Sequence, residues 1–184
     1  FFNPPGVMRL VEVIPGARTS VETLELTNSL AVKMGKSPVS VKKDSPGFIV
    51  NRILVTYINE AAKLLDSGNW RKEQIDSAMQ FKAKMPMGPL MLADLIGLDV
   101  VNSIMKVFED ALGLHYKPAD SIVKLNAEKK LGKKTGEGYY VYKEQLRLSE
   151  ADAVGFPVNM LLDSLITEAN KVVAEGVADP DAVD

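Results

Sequence analysis

Apolar and polar residues alternate along Leu10-Val11-Glu12-Val13-Ile14. That alternation predicts a short strand with Leu10, Glu12 and Ile14 on one face. A helix-compatible stretch follows: Thr19-Ser20-Val21-Glu22 has the T-x-x-E form of a capping box, and the run continues to Met34 with a stop at Gly35. Pro38 to Val41 reads as a second strand. Strand, helix and strand make the unit of a parallel α/β sheet, and one unit cannot close a sheet by itself. Residues 1–44 therefore look like the last piece of a larger α/β domain.

After Ser45-Pro46-Gly47 the pattern becomes helical. Val50, Ile53, Leu54, Tyr57, Ile58, Ala61, Leu64 and Leu65 fall at helical spacing, and Gly68 ends the run. A short helix is expected from about Glu73. Pro89 opens another over residues 89–96, Gly97 breaks it, and Asp99 can cap the next. Val101, Ile104, Met105, Phe108 and Leu112 form that helix's apolar stripe, closed by Gly113. A further helix over roughly 119–130 leads through a glycine-rich turn to Tyr139-Tyr140-Val141-Tyr142. Residues 45–142 thus read as an antiparallel helical domain.

The tail repeats this domain's start. The thirty residues from Gly155 align without gaps to those from Gly47, at a constant offset of 108 positions. Gly47, Phe48, Val50, Asn51, Leu54, Glu60, Ala61, Lys63, Gly68 and Asp76 recur as Gly155, Phe156, Val158, Asn159, Leu162, Glu168, Ala169, Lys171, Gly176 and Asp184. Two amphipathic helices share apolar spacing by default. Shared Gly-Phe, Asn, Glu-Ala, Gly and Asp at one offset point to a duplication. The second copy, residues 155–184, reads as a truncated start joined by a linker over residues 143–154.

Composition narrows the classes. A chain of 184 residues with 46% hydrophobic and 25% charged residues is ordinary globular protein. A net charge of −2 without a basic block argues against a nucleic-acid partner. The absence of cysteine excludes disulfides and thiolate chemistry and is compatible with a cytoplasmic location. No apolar run reaches the length of a membrane span. With one histidine and no cysteine, a metal site of the zinc type is not expected.

Glu12 poses the chemical question, because a carboxylate between large apolar neighbours is costly unless a cation or hydrogen-bond donor meets it. Asn51, taken alone, reads as a polar residue in a helix's first turn, and Lys134 as part of a solvated glycine-rich loop. His115 lies in a Leu114-to-Pro118 loop, away from the other candidates.

Four segments change this reading: FFNPPGVMRLVEVI, SPGFIVNRIL, PMGPLMLADLIGLD and LGKKTGEGYYVY, in that order. Together they resemble the L-3-hydroxyacyl-CoA dehydrogenase family from Phe1 to Tyr142. The resemblance implies a mainly α fold: a helical C-terminal dehydrogenase domain, of the 6-phosphogluconate-dehydrogenase C-terminal type, preceded by the last strand-helix-strand remnant of a Rossmann-type NAD-binding domain. It implies oxidation of an L-3-hydroxyacyl-CoA to the 3-ketoacyl-CoA with NAD, in fatty-acid β-oxidation. The family pattern runs His-Phe-Phe-Asn-Pro, so its catalytic histidine would stand immediately before Phe1. Glu12 matches the glutamate that partners that histidine, Asn51 the asparagine that orients substrate, and Lys134 a lysine contacting the cofactor. The duplicated domain resembles multifunctional fatty-acid oxidation enzymes. No G-x-G-x-x-G fingerprint occurs in the 184 residues, so these residues by themselves are expected to be inactive. The implied partners are an acyl-CoA substrate, an N-terminal NAD-binding domain and, through the helical domain, a second copy in a homodimer. The rival reading is a non-catalytic helical module that pairs domains or subunits.

Overall fold

A computed structural model of the chain describes residues 1–143 and 146–183. Glu144 and Gln145 of the expected linker, and Asp184 of the expected repeat, lie outside the described residues. The chain divides into two compact units, residues 1–52 with 168–184, and residues 53–167.

In the first unit β1 (Leu10–Val13) and β2 (Ser37–Ser40) pair in parallel, with Leu10 opposite Ser37 and Glu12 opposite Val39. Between them runs α1 (Val21–Lys33). The alternation along β1 is as expected: Val11 and Val13 are buried, while Leu10 and Glu12 share the half-buried face. The helix start differs by one residue. Ser20, not Thr19, is the N-cap, since its Oγ accepts from Thr23 N at 3.2 Å. Thr19 is engaged upstream instead, where its hydroxyl accepts from Gly16 N at 2.9 Å. Ala31 is the one buried side chain of α1, while Leu26, Leu30, Val32 and Met34 are each more than half exposed.

Helix α2 (Val50–Asp66) begins in the first unit and continues in the second, which adds α3 (Lys72–Ser77), α4 (Pro89–Ile96), α5 (Leu98–Leu112) and α6 (Asp120–Ala127). A π-helical stretch over Ala78–Lys82 extends α3. Helix α7 (Asn159–Ala174) carries the chain back into the first unit. The second unit's core is built from Ile58, Ala61, Ile75, Met79, Leu90, Met105 and their neighbours, and the ring of Trp70 packs edge-on to Phe156 at 5.2 Å. Among the described residues no helix is long and apolar enough to cross a membrane.

β2 lies one residue earlier than the expected Pro38 to Val41, and two further helix boundaries moved. Asp99 does not cap α5: Gly97, at φ 106°, makes the bend from α4 directly, so the helix starts at Leu98 and Asp99 falls in its first turn. Helix α6 ends at Ala127 rather than near 130, where Lys129 takes a left-handed φ of 60°.

Two buried aspartates account for two glycines of the resembling segments, Gly88 and Gly138. Asp76 accepts from Leu90 N at 2.8 Å and Met91 N at 2.9 Å, capping α4 from a distance. A Cβ on Gly88 would stand 2.3 Å from the Asp76 side chain, so the approach needs glycine there. Asp94 accepts from Tyr139 N, Tyr140 N and the Tyr142 hydroxyl, each at 2.9 Å, and so closes the G-E-G-Y-Y turn onto α4. A Cβ on Gly138 would fall 2.1 Å from Asp94 Oδ1. Burial raises both carboxyls above the usual range, Asp76 to about 7, against the opposing pull of these same donors.

Candidate active site

The opening strand brings Glu12 to the start of α2. Its Oε1 accepts from Ile49 N at 2.8 Å and from Val50 N at 3.1 Å. These are amides of a helix N-terminus, which lack partners within the helix and carry partial positive charge. The donors that Glu12 required are thus backbone N–H groups 37 and 38 positions away, not a cation. Gly47, at φ 79°, and Phe48, at φ 52°, turn the chain so that these amides point back at the strand.

Asn51 is the second residue of α2 and is half-buried. Glu12 and Asn51 therefore converge on one helical turn of the first unit. Such a turn can hold one carboxylate in place and present an amide donor beside it.

Sequence reasoning passed over the next residue. Arg52 is 1% exposed, and its Nε donates to Glu168 Oε1 at 2.8 Å. Its Nη1 and Nη2 grip Glu175 at 2.6 and 2.8 Å. The one signal available was the Arg52-to-Met160 difference between the aligned segments, which says nothing about a partner.

Lys134 lies in the second unit, in a single 3-10 turn over Lys133–Thr135. Its ammonium pairs with Asp99, and that contact holds the Asp99 carboxyl below the usual range. His115 sits in an exposed turn and packs edge-on against Tyr116 at 5.3 Å. Among the described residues, no three His, Asp or Glu side chains are grouped to hold a metal.

Residues 47–142 match the 3-hydroxyacyl-CoA dehydrogenase C-terminal domain, and residues 1–45 match the NAD binding domain of 3-hydroxyacyl-CoA dehydrogenase. The chain belongs to the 3-hydroxyacyl-CoA dehydrogenase family. It is 50% identical over 145 residues to human mitochondrial hydroxyacyl-coenzyme A dehydrogenase, a match covering 78% of this chain and 46% of that protein. Its likeness to the fatty acid oxidation complex subunit alpha of Shewanella halifaxensis covers more of the chain, 40% identity over 172 residues, 94% of this chain and 24% of that one. The crystal structure of (S)-3-hydroxybutyryl-CoA dehydrogenase from Ralstonia eutropha superposes with a TM-score of 0.75 at 45% identity, covering 78% of this chain and 51% of that one. The chain thus spans about half or less of the length of these dehydrogenase relatives. The strand-helix-strand lead-in and helical domain expected of this family are both present.

Proposed function

We propose that the full-length protein oxidises L-3-hydroxyacyl-CoA to 3-ketoacyl-CoA with NAD in fatty-acid β-oxidation. The observation that carries this reading is the convergence of Glu12 and Asn51 on the first turn of α2. In this reading a histidine next to Phe1 takes the 3-hydroxyl proton. Glu12 accepts that imidazole's other N–H, fixes its tautomer and stabilises its charged form. The Asn51 amide donates to the substrate oxygen and holds it beside the imidazole. NAD, when bound, supplies the hydride acceptor. The residues present fit the oxidising end of such a site and not the phosphate cradle, since residues 1–184 hold no G-x-G-x-x-G, and Lys134 rests against Asp99. Lys134 remains a cofactor contact in our reading, reached by exchanging that exposed pair.

Exposed apolar surfaces support the expected partners. Leu26, Leu30 and Val32 of α1 and Met34 at its C-cap are exposed, and an N-terminal NAD-binding domain would cover them. Val100 and Val107 of α5 lie on one helical face and suit a homodimer contact. Residues 155–183 are read as the start of a second helical domain, as in multifunctional enzymes. Gly47 and Gly155, and likewise Gly68 and Gly176, share left-handed φ, and the Glu60–Lys63 ion pair recurs as Glu168–Lys171. The cysteine-free composition is compatible with a cytoplasmic location.

The test is NADH formation by the full-length protein with L-3-hydroxybutyryl-CoA, compared with Asn51→Ala. We expect robust turnover in the first and at least about tenfold less in the second. No turnover by the wild-type protein refutes the proposal.

A further inference from the structure

The clamp on Arg52 is built from the far end of the chain. Glu168 is 2% exposed and also receives Lys171 Nζ at 3.2 Å, while Glu175 is nearer the surface. The guanidinium holds the Glu175 carboxyl below its usual range. A planar fork held by two carboxylates, one of them bidentately, has little rotational freedom. Removing a partner from a buried cation is strongly penalised, so the chain around Arg52 must stay where the clamp puts it or move. The chain around Arg52 is the first turn of α2. Arg52 N donates to Gly47 O at 3.1 Å, and the same turn offers Ile49 N and Val50 N to Glu12. Lys42 adds a second tie to the tail, donating from its backbone to Val177 O at 2.8 Å and from Nζ to Asp179. All of these groups belong to the first unit. The clamping residues lie beyond residues 47–142, which match the family's C-terminal domain.

We propose that Arg52 is a positioning residue: held by Glu168 and Glu175, it fixes the first turn of α2, and through that turn the amides that hold Glu12 and the side chain of Asn51. This rests on the function proposed above. It makes the tail a part of the oxidising site without any tail residue touching the substrate.

Glu175 is the position to vary, because it is partly exposed and its loss need not unfold the protein. Glu175→Gln and Glu175→Asp are made in the full-length protein, with two readouts. The first is hydrogen exchange of the Ile49 and Val50 amides, expected to quicken about tenfold in Glu175→Gln while the Ile58 and Ala61 amides keep their rates. The second is steady-state kinetics. Here kcat should fall about tenfold with KM within about twofold, because the turn positions groups that act in the transition state. Glu175→Asp, which keeps the charge, should recover most of both effects. With an active wild type, either readout unchanged in Glu175→Gln overturns the proposal. An inactive wild type overturns the function reading instead, and exchange alone then decides whether Arg52 fixes the turn.

Discussion

Two carboxylates in this protein do the same local job with opposite consequences. Glu12 in the first unit and Asp76 in the second each accept two backbone N–H groups at the start of a helix they do not belong to. Asp76 uses one oxygen for each amide and is fully buried, with Gly88 pressed against it. Glu12 takes both amides on Oε1 and stays half-buried, so neither of them occupies Oε2. A carboxylate with both oxygens committed and no exposure serves the fold. One that is anchored by a single oxygen is held still while its other oxygen can orient a base. With the role proposed for Glu12, the contrast separates structural from chemical use of one side-chain type.

The largest expected effect falls on the structural member. Asp76→Ala leaves the Leu90 amide buried without its acceptor and opens space behind Gly88. It should cost about 3–5 kcal/mol of stability in urea unfolding. A loss under about 1 kcal/mol would mean that the cap is dispensable. Glu12→Gln comes next: kcat in the full-length protein should fall about 100-fold with KM within about threefold. Stability should change little, since the amide oxygen can still accept from Ile49 and Val50. Unchanged turnover would remove Glu12 from the chemistry and erase the contrast.

A smaller effect sharpens the comparison through pH. Burial pushes the folded Asp76 carboxyl up to about 7, from the ordinary 3.8 that it has in the unfolded chain. Between these values the folded state holds a proton that the unfolded state has released, so stability falls as pH rises from about 4 to about 7. Asp76→Asn should flatten this slope, leaving the part due to Asp94, whose carboxyl is also raised. Urea midpoints measured across that range check it, and an equal slope in both proteins would assign the dependence elsewhere. The smallest effect is expected at Asn159, the exposed counterpart of Asn51 at the start of α7. Asn159→Ala should leave kcat within about twofold, since no Glu12-bearing strand leads into it. Damage equal to that of Asn51→Ala would mean that the start of α7 shapes the site as well, apart from the Arg52 clamp.

Local periodicity and punctuation made most of the elements legible. The alternation over residues 10–14 and the helical spacing from Val50 to Leu65 both became the structures they implied, and the turns at Gly35, Gly68 and Gly113 fell where expected. Errors came where two local signals competed: Thr19 is engaged by Gly16 N, leaving the cap to Ser20, and Gly97 makes the bend that Asp99 was expected to cap, while Asp99 pairs with Lys134. Glu12 was legible as a residue that needed donors, but their identity was not.

The sequence by itself determined the periods of the helices and strands, the breaks between them and the family segments, because these depend on residues within a few positions of one another. Tertiary structure alone decided the partners of the buried charges. Asp76 meets Leu90 across 14 positions, Asp94 meets Tyr139 across 45, and Arg52 meets Glu168 across 116 and Glu175 across 123. No periodicity links such positions. A charge out of water must find its donors or its counter-charge wherever the folded chain brings them within about 3 Å.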